Sequence, residues 1–357
     1  TIKKNNLFFA IKGKNKDGHK FAKEAIQKGA AVSVISKKVK HLSKAKTMKV
    51  KNTLSSLNNL AKVTRENTLS QIIGITGSVG KTTLKNLISF SLNSYGEVCK
   101  SPHSYNNKFG VPLSIANLKE NTQYGVFEIG MDKKGEINNL SKIVKPKIAI
   151  INNISEAHLK NFKNINGIAK AKAEIINNIE KDGHIILNKD SKFFNFLSKK
   201  AKKNKIQVTS FSLKKRADIF LIKIIKIKKY YRLKVSVRNK IFNFDISDPI
   251  NNFISNALAC ISTLTVLGLD LKNIERSFIN FSIPNGRGDI KIVNAFNKKF
   301  KFIDESYNAN PMSMLSAINN MNYYKKKRYA KKLVFLGDML ELGKKSKKFH
   351  KKLSVLI

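Results

Sequence analysis

No apolar run approaches the ~18 residues that a membrane-spanning helix needs, so the sequence offers no transmembrane segment. Cysteine is scarce. Cys99 and Cys260 lie far apart, with no C-x-x-C spacing. Two such thiols build no disulfide framework and fit a reducing cytosol, so a cytoplasmic location is expected. No secretory leader is readable. The chain opens on Thr1 rather than Met and closes at Leu356-Ile357 straight after a helical pattern, so it is expected to be a fragment missing both termini. Acidic residues are few, 23 against 69 basic ones, which leaves a formal charge of +46. Arginine is scarcer still: seven arginines stand beside 62 lysines. That imbalance weighs against nucleic-acid recognition, which relies on the planar guanidinium fork. The lysines run through the whole length beside abundant Asn and Ile, as AT-rich codon usage would produce. They read as a solvated surface rather than a specific nucleic-acid site, although the charge favours anionic substrates.

What is present is a 42% apolar composition over 357 residues, enough for two or three domains with real cores. One stretch organises it: Gly74-Ile75-Thr76-Gly77-Ser78-Val79-Gly80-Lys81-Thr82-Thr83, after Ile72-Ile73 and before Leu84-Lys85-Asn86-Leu87-Ile88. The order is strand, glycine turn, helix. Glycines at 77 and 80 let backbone amides turn inward around a phosphate, and the helix N-terminus adds its partial positive charge. Lys81 can reach terminal phosphates, and the Thr82 hydroxyl can bind Mg²⁺. The pattern G-x-x-x-x-G-K-[ST] is not met in full, because Ile75 stands at its first glycine.

Around this loop the chain reads as α/β. Leu7–Ile11 and Ala30–Ile35 are strand candidates flanking a helix from Phe21 to Gly29, and Leu54–Thr64 is a helix leading onward. Apolar strands at Gly125–Ile129, Ile148–Ile151 and His184–Leu187 alternate with helices at Gly135–Ile143 and Ile165–Ile179, which predicts a parallel sheet. Residues 217–247 alternate differently and read as an antiparallel add-on. Helices are expected at Asn251–Leu267 and Lys272–Phe281. A third unit begins near Pro284. Strands at Phe300–Ile303 and Leu333–Leu336 about a helix from Pro311 to Met321 would open another nucleotide-binding-like domain.

Glu128 ends an apolar strand, hence sits at the ligand edge of a parallel sheet, where it is either a Mg²⁺ ligand or a capping carboxylate. His158 follows another strand at the same edge and reads equally as a metal or phosphate contact or as structural. Lys172, in Ala171-Lys172-Ala173-Glu174-Ile175, cannot be singled out among so many lysines. The loop Ser101–Pro112 carries the amide pair Asn106-Asn107, suited to a polar ligand but also to an ordinary turn. Asp304 and Glu305 precede the helix at Pro311, either facing a ligand or capping that helix.

Taken in order, these motifs resemble the Mur ligase family of ATP-dependent amide-bond-forming enzymes. The resemblance rests on the Thr76–Thr83 loop and on Asp17-Gly18-His19, Asn106-Asn107 to Pro112, Glu128-Ile129-Gly130, Ala157-His158-Leu159 and Ala171–Ile175. Ser306–Pro311 and Leu336–Gly343 are similar to the branch that joins D-alanyl-D-alanine to UDP-N-acetylmuramoyl-tripeptide.

The resemblance implies a three-domain architecture. Residues 1–66 would form an incomplete N-terminal UDP-sugar-binding domain. Residues 67–283 would form a central P-loop ATPase domain with the antiparallel add-on, and 284–357 a truncated Rossmann-like ligase domain. It implies ATP and Mg²⁺ as cofactors, an acyl phosphate on the tripeptide carboxylate, and a cytoplasmic, monomeric enzyme of peptidoglycan synthesis. Gly77, Ser78, Val79, Gly80, Lys81, Thr82 and Thr83 would hold the phosphates, and Thr82, Glu128 and His158 the metal. Lys172 would be carbamylated and so become an anionic metal ligand. Asn256 would meet adenine, Arg287 a phosphate, Asp304 or Glu305 the ribose, and Asn106 and Asn107 the UDP-sugar. Departures are Asn252-Phe253 for a His-Asn pair, Glu305 for a second Asp, and Ser104 for an Asn. The rivals are another amide ligase of this fold, such as a folylpolyglutamate-type enzyme, and a lysine-rich nucleic-acid-binding NTPase. An amine-acceptor screen separates the first; ATP turnover raised by DNA or RNA would favour the second.

Overall fold

A computed structural model describes residues 2–157, 159–247, 250–295, 297–321 and 331–354. The first unit is a three-stranded parallel sheet of β1 (Leu7–Phe9), β2 (Val32–Ile35) and β3 (Thr47–Lys49), with α1 (Ala22–Gln27) between the first two strands. Asp17 and His19 brace it. The imidazole Nε2 accepts the Ser36 backbone N–H at 2.9 Å, so Nδ1 carries the proton that Asp17 receives at 2.6 Å. The Asp-Gly-His stretch is thus a structural brace of this unit. Helix α2 (Thr53–Glu66), capped by the Asn52 side chain on Ser55 N–H, carries the chain onward.

A nine-stranded sheet follows. Its strands and helices are β4 (Gln71–Thr76), α3 (Lys81–Leu92), β5 (Val98–Lys100), α4 (Gly110–Ile115), β6 (Tyr124–Glu128), α5 (Glu136–Val144) and β7 (Ile148–Ile151). Then come α6 (Ile165–Lys172), β8 (His184–Asn188), α7 (Phe194–Lys203), β9 (Gln207–Ser212), β10 (Ile219–Ile227), β11 (Tyr230–Val237), β12 (Lys240–Ile246) and α8 (Asn251–Val266). The strand order is β12-β11-β10-β9-β8-β7-β4-β6-β5, parallel from β10 to β5 and antiparallel through β11 and β12.

The inner strands β4, β6, β7 and β8 are largely apolar because both faces are covered, whereas β10 and β12 expose part of their length. Residues alternate between two cores with the period of two that a pleated strand imposes. Phe127, Ala149, Ile151, Ile185 and Leu187 join one core, under α4, α5, α6 and α7. Val126, Ile148, Ile150 and Ile186 join the other, under α3 and α8. The chain runs from β4 out to β5 and β6 on one side, then back to β7 on the other. The C-terminal end of β4 is therefore a switch point, where open α/β sheets bind ligands.

Three expected elements differ. The helix expected over Ile165–Ile179 is α-helical to Lys172 and continues as a 3₁₀ run, Ala173–Asn178. The stretch Lys272–Phe281 forms two 3₁₀ turns, Leu271–Ile274 and Ser277–Asn280, instead of one helix. The Glu275 carbonyl that a helix would use internally instead accepts the Asp245 N–H of β12 at 2.7 Å. Phe278 is buried against Phe244 there, with ring centroids 5.9 Å apart. In the third unit, β13 (Asp289–Ala295) and β14 (Lys298–Asp304) pair as an antiparallel hairpin, and α9 (Pro311–Met321) follows. Leu333–Leu336, expected as a strand, has no regular structure, and Leu333 and Phe335 are exposed. Among the described residues it has no strand to pair with, and an unpaired strand leaves its backbone groups unsatisfied. The last helix is α10 (Ser346–Ser354).

Candidate active site

Gly80 has φ +77°, the left-handed turn that lets the loop close and α3 begin. The loop is held from outside by two amides at the end of β7. Asn153 Oδ1 accepts the N–H groups of Ser78 and Val79 at 3.1 and 2.8 Å. Asn152 Nδ2 donates to Asn256 Oδ1 at 2.9 Å, tying the loop's support to α8. The Lys81 ammonium donates to the Gly77 carbonyl at 2.9 Å, curled over the loop. Burial pushes its pKa down, Glu128 opposes the shift, and Arg287 adds to it.

Glu128 is 1% exposed and sits at the end of β6, hydrogen-bonded on both carboxylate oxygens. Its Oε2 accepts the Thr82 hydroxyl and its Oε1 the Asn106 amide, each at 2.8 Å. Ser104 Oγ lies 3.3 Å from Thr82 Oγ1 and accepts from Arg287 Nη2 at 2.9 Å and Tyr307 Oη at 2.8 Å. The Arg287 guanidinium stacks on the Tyr307 ring at 3.8 Å. One serine hydroxyl thereby joins the phosphate loop to the third unit. A cavity of about 370 Å³ opens between them, lined by the loop, the ends of β6 and β7, the start of α8 and residues from 283 to 313.

Lys172, on α6, is 2% exposed and has no hydrogen-bond or ion-pair partner among the described residues. Burial pushes its amine well below the ordinary lysine value, and the Lys81 charge adds to that. Its neighbour Glu174 accepts the Gly135 and Asn138 N–H groups, capping α5, so the two residues of that motif do different things. Asn107 Oδ1 accepts the Phe109 and Gly110 N–H groups at the start of α4, while Asn106 alone of the pair reaches Glu128. Asp304 is held by the Ser306 N–H at 3.0 Å, whereas Glu305 lines the cavity. His158 lies outside the described residues. Ser104, Tyr307 and the pair Asn152-Asn153 make contacts to which the sequence assigned no role, although Tyr307 lies in the Ser306–Pro311 stretch and Ser104 is a departure from the family pattern. Two amides straight after an all-apolar strand were the available signal for the last.

The Glu305 carboxyl is pushed up to about 7, by burial first and then by Asp289 and Asp304, with Arg287 opposing. A folded-state pKa above the unfolded one stabilises the protein at low pH, and that contribution is lost as pH rises from the ordinary carboxylate range to about 7. Glu305→Gln is therefore expected to melt like wild type at pH 5 and higher than wild type at pH 8. Equal melting temperatures at pH 8 would contradict this reading.

A glycine loop and helix N-terminus at a sheet switch point, with a buried carboxylate beside the loop's threonine, define a P-loop nucleotide-binding enzyme. The Mur ligase middle domain matches residues 75–264, and the catalytic domain of the Mur ligase family matches residues 1–67. The chain belongs to the Mur ligase family. It is 35% identical over 353 residues to the UDP-N-acetylmuramoyl-tripeptide–D-alanyl-D-alanine ligase of Rickettsia prowazekii, covering 99% of this chain and 77% of that one. Its structure is similar to that of MurF from Acinetobacter baumannii, with a TM-score of 0.87, 28% identity and coverage of 98% and 75%. It is also similar to MurF ligase from Thermotoga maritima in complex with ADP, with a TM-score of 0.84, 26% identity and coverage of 99% and 79%.

Proposed function

We propose that this chain is an ATP-dependent amide ligase that joins D-alanyl-D-alanine to UDP-N-acetylmuramoyl-tripeptide in peptidoglycan synthesis. One observation carries the reading: the phosphate loop, the Thr82–Glu128 pair and Arg287 converge on a single cleft. The likeness to the Rickettsia enzyme supports the choice of substrates. Residues 1–66 would bind the UDP-sugar, 67–283 the ATP, and 284–357 would complete the cleft. The two free thiols fit a cytoplasmic enzyme, and no described helix is long and apolar enough to cross a membrane.

In this reading Gly77–Thr83 cradles the phosphates, with Lys81 on the β- and γ-groups. Asn256 serves the adenine, Arg287 a phosphate, Glu305 or Asp304 the ribose, and Asn106 and Asn107 the UDP-sugar. The Thr82 hydroxyl and Glu128 carboxylate are buried and 2.8 Å apart, a pair of hard oxygen donors that fits Mg²⁺. Mg²⁺ bound there would neutralise charge on the transferring phosphoryl group. His158 is proposed as a further ligand. Lys172 becomes one by carbamylation: its neutral amine bonds to CO₂ and loses a proton, leaving an anion beside the Lys81 charge. A buried, unpaired amine with a depressed pKa favours that chemistry.

The tripeptide carboxylate bonds to the γ-phosphorus as ADP leaves. The dipeptide amine then bonds to the acyl carbon, phosphate departs, and a proton is released. The side chains position the reactants and offset their charge. Sustained ADP release over many turnovers should require ATP, UDP-tripeptide and D-alanyl-D-alanine together. Turnover indifferent to the dipeptide but raised by DNA or RNA would sink the proposal. Gly80→Ala tests the cradle. A Cβ there meets Asn152 Nδ2 at 3.1 Å and the Asn256 amide at 3.3 Å, in a backbone region that costs a non-glycine residue roughly 1–2 kcal/mol. Its ADP affinity, measured by calorimetry, should fall about tenfold or more.

A further inference from the structure

One helical turn beyond Lys81, α3 carries a second lysine that no motif explains. Lys85 is 1% exposed, among the largest fully buried side chains of the protein. An ammonium in that position is costly, and a methionine would fill similar space without desolvating a charge. Burial pushes its pKa down to about 8, with Glu128 opposing and Lys100 and Arg287 adding.

Its bonds are informative. Nζ donates to the Ser101 carbonyl at 2.8 Å and, at shorter range, to the His103 carbonyl. Both belong to the loop after β5. His103 has φ +42°, left-handed backbone that a residue with a Cβ adopts only when its surroundings hold it there. The next residue is Ser104, which meets Thr82, Arg287 and Tyr307. Two residues later Asn106 holds Glu128. Ser101 also receives the Glu128 N–H on its hydroxyl at 3.2 Å. The buried ammonium is thus anchored in α3 and grips the turn from which the cleft's contacts project.

We propose that Lys85 is a positioning residue for ligation: its ammonium pins the turn at residues 101–103, so that Ser104 and Asn106 stay on Thr82, Arg287 and Glu128. The inference rests on the ligase reading of the cleft. It differs from a packing role, because packing needs the side chain's volume and positioning needs its two charge-assisted hydrogen bonds.

Lys85→Met tests it, with Lys100→Met as a control that removes an exposed charge from the end of β5. In Lys85→Met, kcat should fall about 30-fold while ADP affinity changes less than about threefold. Amide hydrogen exchange over residues 101–107 should rise about tenfold, with α3 and β6 unchanged. In a Ser104→Ala background the same substitution should cost less than half as much in kcat on a logarithmic scale, because the pin then has less to hold. Three outcomes overturn the proposal: unchanged kcat and loop exchange, full additivity with Ser104→Ala, or a variant that does not fold. The last would make Lys85 a core residue. Absence of turnover in the wild-type chain would count against the ligase reading alone, and loop exchange would still decide the role of Lys85.

Discussion

Lys172→Met is expected to abolish ligation and to leave the fold more stable. The residue is 2% exposed, its amine meets no partner among the described residues, and the Lys81 charge disfavours protonation further. Desolvating an amine costs about 1–3 kcal/mol, and methionine keeps the chain's length while removing that cost. Urea unfolding in Mg²⁺-free, CO₂-free buffer should therefore shift upward by about that amount. Catalysis should move the other way. Without the amine no carbamate forms, and the loss of a charged group beside the transferring phosphoryl should slow ADP release by about 10³-fold or more. Bicarbonate should not restore the variant. Activity near wild type would remove Lys172 from the site. A fall in stability would mean that the amine is paired in solution.

Arg65→Ala should cost about 3 kcal/mol of stability, the lower end of what breaking a buried charge network costs. The guanidinium, on α2, is 6% exposed. Nε donates to the Val144 carbonyl at 2.7 Å, and Nη2 to the Lys145 carbonyl and Glu180 Oε1, both at 2.6 Å. Val144 and Lys145 close α5, so the positive charge also sits at the negative end of that helix. Alanine strands those carbonyls and leaves Glu180 unpaired. The Glu180 side chain is 38% exposed and can regain water, which is why the larger values are not expected. Arg65→Lys should recover less than half of the loss, since an ammonium cannot span three acceptors in the same plane. Urea denaturation of the three proteins measures both statements. An alanine variant within about 0.5 kcal/mol of wild type would contradict them.

Much of the central unit was legible because its physics is local. Apolar runs of four to six residues between helical stretches imply strands covered on both faces, and the glycine loop declares its own turn. What escaped depended on distant partners. The 271–280 segment looked helical until β12 took the Glu275 carbonyl. Leu333–Leu336 had the composition of a strand, but among the described residues no sheet edge receives it. Charge could not single out Lys172 among 62 lysines, and only the family resemblance named it; Lys85 escaped altogether, because what distinguishes it is burial, and burial belongs to the fold. Ser104 looked like a departure from a pattern; its importance lies in partners from two other parts of the chain.

The scarcity of arginine acquires a spatial meaning in the fold. Arg65 rivets the helix from the first unit to the end of α5 and to Glu180. Arg232 clamps Asp245 with both arms, at 2.7 and 2.9 Å, across the antiparallel margin. Arg287 reaches from the third unit to Ser104. Each stands at a seam and needs several directed bonds at once, which a point charge on a flexible stem does not supply. These three guanidinium groups are fasteners of this molecule, and the lysine coat around them is mostly cloth.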